Sequence, residues 1–298
     1  MFKLENEIYT NFWNAMKGKE YDQSVLASIT DNGSSALPVQ SLKQVNETIK
    51  EENIFRKLGT VIQAESADGV IHAVTSTGEA EIVAEGESIS ESNDTIQAFK
   101  INTFKIASMS RLKKSFILDT QFDLEKYLCK DFAKRFGRAE EDKFLNGNGQ
   151  TEPQGLLQKD AAVITGEAGA IGYDDLVDLY FSVDVHYRKK SVFMMSDATA
   201  MHLRKLKDEN GLPIFNDTNN TIFGKPVHIS AYMPTVESGK KAILFGDLAY
   251  FWVIERQPIA IKMLTELYSR TNEIGYLAHE RVDGQLIHPD AIQILQIK

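Results

Sequence analysis

Phe144-Leu145-Asn146-Gly147-Asn148-Gly149-Gln150-Thr151-Glu152-Pro153-Gln154-Gly155-Leu156-Leu157 ends a long amphipathic helix in a glycine-rich turn and an apolar re-entry. Upstream, Leu124, Leu128, Phe132, Phe136 and Ala139 recur at steps of three and four, the spacing of one helical stripe. Thr120 and Asp123 have the spacing of a capping box, and Asp119, Asp123 and Glu125 put negative charge at the helix start. Asp131 and Arg135 form an i,i+4 pair on the wetter side. Asn146-Gly147 offers residues that tolerate a left-handed C-terminal cap, and Pro153 blocks resumption of the helix. The pattern predicts a helix over about 120–145, roughly 40 Å at ~1.5 Å per residue. Such a length suits an element that spans an elongated subunit.

The glycines of this turn invite comparison with a phosphate cradle. Nucleotide motifs place their glycines after a strand and before a helix, so that helix-start amides face the phosphate. Here the glycines follow the helix and no Lys-Ser/Thr pair comes after them. Phosphate binding is set aside.

With 298 residues, 43% of them hydrophobic, the chain can bury one large or two medium cores. It has no apolar run of membrane-spanning length, and its first residues lack a basic-then-apolar leader. Cys129 is the single cysteine, which excludes an internal disulfide framework and a multi-cysteine zinc site. The simplest expectation is synthesis in a cytoplasm.

The net charge of −9 argues against coating nucleic acid by phosphate neutralisation, and its distribution is more telling than its sum. From Leu58 to Phe99 there is no Lys or Arg, while Glu65, Asp68, Glu79, Glu81, Glu85, Glu87, Glu91 and Asp94 give the block a charge of −8. From Lys100 to Arg138, ten bases face four acids, for +6. An acidic element that lies on a basic one explains the juxtaposition; two solvated surfaces with unrelated charge are the other reading.

Along the chain, residues 1–50 read as an arm, with a short polar helix over 41–52. Val61 to Met109 reads as extended structure, with strands at 70–74 and 81–84 and a return strand at 99–102 whose apolar phase flips at Thr103-Phe104. A long polar two-stranded loop cannot bury itself and needs a surface from elsewhere, most simply a neighbouring copy. Helices are expected from Tyr173 and from Ser196 to about Lys207, and strands at 191–195, 226–229, 242–245, 250–254 and 259–261. Helices and strands alternate without a period, which indicates a mixed α and β chain.

Several motifs, in order, resemble one family. The helix exit at 144–157 is similar to the spine-helix exit of tailed-bacteriophage major capsid proteins of the Hong Kong ninety-seven fold. Ile82-Val83-Ala84-Glu85-Gly86-Glu87 looks like the tip of that family's extended loop, and Ser90-Glu91-Ser92-Asn93-Asp94 like its return. Leu206-Lys207-Asp208-Glu209-Asn210-Gly211, Gly224-Lys225-Pro226-Val227, Met233-Pro234, Phe245-Gly246-Asp247 and Glu280-Arg281-Val282-Asp283-Gly284 follow collinearly. Together they cover about residues 20–290; singly each is weak.

The resemblance implies an α+β capsid fold: an N-terminal arm (1–55), an extended β-hairpin loop (about 66–98) within a peripheral domain that carries the spine helix (56–160), an axial domain (161–250), and a return through both (251–298). It implies hexamers and pentamers of an icosahedral shell around double-stranded DNA, bound without sequence specificity, with portal and scaffolding proteins as further partners, in a virion assembled in the bacterial host cytoplasm. The subunit contact would join Glu79, Glu81, Glu85, Glu87 and Glu91 of the loop to Lys126, Lys130, Lys134 and Arg138 on the spine, with Gly147, Gly149, Pro153 and Gly155 shaping the turn. Some members cross-link subunits through a loop Lys, an Asn and an assisting Glu; here those positions hold Ile89, Asn272 and His279, so the shell is expected to be non-covalent. An encapsulin-type nanocompartment shares the fold. A soluble enzyme is the third class, but no Gly-x-Ser-x-Gly elbow is present, and no His among His72, His186, His202, His228, His279 and His288 pairs with a carboxylate at metal-ligand spacing. No catalytic residue, cofactor or metal is expected.

Overall fold

A 23-residue helix, Leu124–Asn146, crosses one face of the longest antiparallel strand pair in the computed structural model and organises the elements around it. The structure describes every residue except 1, 32–33, 65–68, 77–81, 83–92, 120, 208–212, 214 and 217. In chain order the N-terminal part contains α1 (Phe2–Met16), α2 (Gln23–Ala27), β1 (Thr30–Asp31), β2 (Ser34–Ala36), α3 (Val39–Glu52) and α4 (Ile54–Leu58). Strands β3 (Thr60–Gln63), β4 (Val70–Ser76), β5 (Thr95–Lys100) and β6 (Phe104–Lys113) lead through α5 (Lys114–Leu118) to the long helix, α6. Then come β7 (Val163–Ile164), α7 (Tyr173–Ser182), α8 (Val185–Arg188), β8 (Val192–Met195), α9 (Asp197–Lys205), β9 (Phe215–Asn216), β10 (Thr221–Ile222), β11 (Lys225–Ile229) and β12 (Lys241–Gly246). The chain closes with β13 (Phe251–Leu264), β14 (Glu273–Leu286) and β15 (Ile292–Gln296).

The described strands form two large sheets and a ribbon. One sheet runs β1-β2-β13-β14-β6, with β3 pairing parallel to the first half of β13. The other runs β7-β15-β12-β8-β11-β10-β9, and β4 pairs with β5 alone. The α6 stripe buries Leu124, Leu128, Phe132 and Phe136 against the first sheet and against Phe12, Trp13, Val45 and Ile49 of α1 and α3. Ala139 is only half-buried; the buried face passes instead through Glu140 and Glu141 to Phe144. The helix starts at Leu124, not 120, because Asp123 is itself the cap: its carboxylate accepts from the Lys126 N–H at 3.1 Å.

Phe2–Met16, read as part of an arm, is a helix whose Phe12, Trp13 and Met16 lie in the core. A polar chain fastens it: Trp13 Nε1 donates to Ser41 Oγ (3.0 Å), Ser41 donates to Glu125 (2.8 Å), and the Tyr9 hydroxyl also donates to Glu125. Burial and the Glu125 charge push the Tyr9 phenol up to about 12. The strands expected at 250–254 and 259–261 are one strand, β13. Pro258 hid its continuity, and register shifts between Glu255 and Ala260 absorb the missing N–H. β14 was not expected, because Glu273, His279, Glu280, Arg281 and Asp283 interrupt its apolar pattern; it is nonetheless central, paired on both sides.

A second cluster joins the two sheets through Phe55, Phe144 and Phe251, whose rings lie 4.8–5.7 Å apart. A third packs Leu176, Leu179, Ala200 and Leu203 of α7 and α9 on the second sheet. Phe132 has no exposed surface to speak of, so Phe132→Ala should cost about 3–5 kcal/mol, against a typical domain stability of ~5–15 kcal/mol. Lys134→Ala, with its side chain 41% exposed, should stay within about 0.5 kcal/mol of the parent. Thermal unfolding of both variants checks this; a Phe132→Ala that melts with the parent would show the stripe to be misplaced.

Candidate functional site

The four spine bases lie at steps of four along α6 and form one stripe. Lys126, Lys130 and Arg138 are exposed and Lys134 is half-buried. Arg138 and Lys134 reach Glu52 of α3 at 3.1 and 3.7 Å, so both serve within the subunit. Lys126 and Lys130 make no ion pair with any described residue. Arg135, beside the stripe, pairs with Asp131 at 3.0 Å and donates to the Met109 carbonyl at 2.9 Å, closing one carbonyl on the free edge of β6. Glu79, Glu81, Glu85, Glu87 and Glu91 lie outside the described residues. What is described of the loop is its root, the β4–β5 ribbon, with Val70 opposite Lys100 and Val74 opposite Ile96.

The turn after α6 brings Gly147, Gly149, Pro153 and Gly155 together. Gly147 is not left-handed (φ −57°); it is needed for close approach, since a Cβ there would lie 2.1 Å from the Pro153 carbonyl oxygen. The left-handed residue is Gly149, at φ +72°. Gly155 donates to Gly147 O at 3.0 Å, and Asn148 Oδ1 collects the N–H groups of Gln150, Thr151 and Glu152. Lys143 pairs with Glu152 at 2.8 Å, tying the last helical turn to the loop. The hydrogen bonds of this turn are made within it or to the end of the helix.

Sequence reasoning missed the most unusual polar group in the subunit. Arg56 of α4, buried, donates to both oxygens of Glu140 (2.7 and 2.5 Å) and to Glu255 of β13, and lies 3.8 Å from Glu280 of β14. Burial opposes the Arg56 charge, but the carboxylates outweigh it and hold the guanidinium protonated. Burial and the Glu140 charge drive Glu280 well above the usual carboxylate range, which favours its neutral form beside Glu140. Next to it, Glu141 accepts from the Ile54 N–H (3.0 Å) and from Ser230 Oγ (2.5 Å), linking the spine to the second sheet's loop. The available signal was Glu140-Glu141 falling on the apolar phase of the helix.

No group of three or more His, Cys, Asp or Glu among the described residues could hold a metal ion, and no helix there is long and apolar enough to cross a membrane. Asn272 sits in a left-handed turn (φ 55°) before β14, and His279 lies on that strand. Ile89 is outside the described residues.

A model of the phage capsid family matches residues 33–297, and this chain belongs to that family. The capsid of an empty GTA particle is similar at 26% identity and a TM-score of 0.68, over 82% of this chain and 89% of that one. The capsid of a native GTA particle is similar at 26% and 0.67, over 84% and 90%. A chain from Microbacterium phage Oxtober96 shares the fold at 15% identity and a TM-score of 0.59, over 95% of this chain and 98% of that one. A search of curated proteins returned no match. The fold is of the Hong Kong ninety-seven type, and the protein is a major capsid protein of the tailed-phage kind: a structural component of a virion that assembles with copies of itself, and not an enzyme.

The buried cluster yields a test within the single subunit. Arg56→Met should destabilise by about 3–5 kcal/mol, because it leaves buried carboxylates uncompensated. Glu280→Gln should be nearly neutral at pH 5. Because folding raises the Glu280 pKa, the parent loses stability as pH climbs above ~4.5, so Glu280→Gln should become the more stable of the two on the way to pH 8. Denaturant unfolding across that range measures both; parallel pH curves would refute a neutral Glu280.

Proposed function

We propose that this capsid subunit closes into hexamers and pentamers of an icosahedral shell around double-stranded DNA, its extended acidic loop lying on the basic spine stripe of an adjacent copy. The observation that carries the contact is the pair Lys126 and Lys130, exposed on the long helix and without an ionic partner among the described residues. A −8 sequence block with no base of its own is the complementary partner in charge. Lys134 and Arg138 contribute field more than direct bonds, since Glu52 already engages them. The N-terminal arm (1–55), peripheral domain (56–160), axial domain (161–250) and C-terminal return (251–298) are the working units of this reading. Portal and scaffolding proteins are its further partners, and the host cytoplasm is its place of assembly. DNA is enclosed by the shell, in keeping with an acidic chain, and is not read for sequence.

Charge complementarity at a rim acts mainly on association rate and register, and salt screens it. Assembly followed by light scattering should therefore slow as ionic strength rises. Glu81, Glu85 and Glu87 changed together to Lys should block assembly while leaving the subunit folded. Adding Lys126→Glu and Lys130→Glu should restore part of it. A triple variant that assembles like the parent would end the proposal. Electron microscopy of the products separates shells filled with DNA from shells filled with protein cargo.

With Ile89 at the position that would have to supply a lysine nucleophile, such shells should dissociate into single 33.5 kDa chains in denaturing, reducing electrophoresis. Persistent ladders of higher mass would contradict a non-covalent shell.

A further inference from the structure

A ridge of apolar side chains stands exposed beside the free lysines of the spine. Phe116 and Leu118 of α5 are 53% and 66% exposed, while Ile117 between them is part of the core. Phe122, half-buried against that core, has the Phe116 ring centre at 6.1 Å and that of Tyr127, on α6, at 5.5 Å. Tyr127 is exposed as well, and shares a side of α6 with Lys130, three residues on. Lys113, Lys114, Lys126 and Lys130 flank the ridge in sequence. All four are exposed, and none makes an ion pair with a described residue. Of the acids in this stretch, Asp119 and Asp123 accept the Gln121 and Lys126 N–H groups, and Glu125 takes the hydroxyls of Tyr9 and Ser41.

We propose that this ridge is the apolar anchor of the contact between copies: it takes the exposed apolar side chains Val74, Ile82 and Ile96 of a neighbouring copy's extended loop. The lysines beside it then meet the acids of the same loop. The inference rests on the loop contact proposed above and names what holds it in place.

Charge alone cannot carry such a contact, because exposed ion pairs are worth little and salt weakens them. Burying one aliphatic side chain contributes as much as several of those pairs. The loop offers side chains of that kind. Val74 and Ile96 stand opposite each other on the β4–β5 ribbon, both exposed, and Ile82 beyond them is fully exposed. The sequence around them, from Leu58 to Phe99, holds acids and no base. Apolar groups set among acids thus have, on the same chain, a counterpart in apolar groups set among bases.

Two other occupants fit less well. A second copy of the ridge would set the four lysines against their own images, and like charges across an interface repel. Duplex DNA offers phosphates to the lysines but keeps its base faces stacked on one another, so the rings would find nothing to cover. Ridge and loop are different surfaces of one chain. Their contact is therefore heterologous, the kind that closes copies into rings.

Assembly of the full chain, followed by light scattering against protein concentration, tests the anchor. Ile82→Ala and Tyr127→Ala change exposed side chains, so both should melt with the parent. Each should nevertheless raise the concentration needed for assembly about tenfold. That shift should be as large at high salt as at low, whereas the effect of Lys126→Glu with Lys130→Glu should fade as salt rises. The double variant Ile82→Ala with Tyr127→Ala should fall short of the product of the single shifts, since side chains in contact are coupled. No shift, a shift that salt abolishes, or shifts that multiply overturn the anchor; the charge contact is then judged on the lysine variants alone. Photocross-linking gives a second reading, with p-benzoylphenylalanine in place of Tyr127 in shells built from isotopically light and heavy copies. The cross-links should join that position to residues 70–100 of another copy. Cross-links to residues 113–130 of another copy, to DNA, or to residues 70–100 of the same chain overturn the proposal.

Discussion

One guanidinium fixes how the spine helix sits on the sheet. Arg56 comes from a helix of a single turn or so, yet it binds a carboxylate of α6 and one of β13 and lies within reach of a third on β14. A buried ion cluster is a poor source of net stability, because desolvation consumes most of the attraction. Its consequence is geometric. A planar fork with donors in fixed directions is satisfied in one relative placement of those elements, whereas apolar side chains would tolerate sliding. Asn53 reinforces that placement: its amide donates to Glu140, and its carbonyl oxygen caps the helix that delivers Arg56.

The same junction is where the two large sheets meet. Phe55, Phe144 and Phe251 interlock beside it, and Gly284 leaves the room they need: a Cβ there would stand 2.7 Å from both Phe144 and Phe251. Glu141 extends the polar contact to Ser230, so the spine is pinned to the first sheet through Glu140 and to the second through its neighbour in sequence. A shell subunit must keep its shape while surfaces on several sides are engaged, and a seam fixed by both packing and directed charge does that. The turn after α6 continues the same rigidity, with its glycines chosen for close backbone contact more than for freedom.

The legible features were those with a local cause. The α6 stripe, the Ser196 cap, the α7 face and the buried strand at 192–195 follow from spacing and side-chain type alone. Pro258 concealed a continuous β13, since a bulge that absorbs proline is a property of the pair and not of the strand. β14 was hidden because charged residues interrupt its apolar pattern, and a partner such as Arg56, near Glu280, lies more than two hundred residues away in sequence. A periodicity of apolar residues cannot reveal a buried acid whose base lies on another element. At the candidate contact, the stripe of bases was visible, but the diversion of Lys134 and Arg138 to Glu52 required the α3–α6 crossing.

That diversion shapes what the stripe can do. Exposed pairs are worth at most about 1 kcal/mol each, and salt lowers even this. Two free lysines therefore cannot hold two subunits together by charge alone. Repeated around a closed shell, such contacts act in concert, because each new neighbour meets a surface already brought into register. Weakness in the single contact is then an advantage, since a misplaced subunit can leave before the shell closes around it. The division of labour follows from burial. Arg56 is sunk beneath the spine among carboxylates, while Lys126 and Lys130 stay exposed, where the pairing proposed for them would be reversible and its strength set by the number of copies.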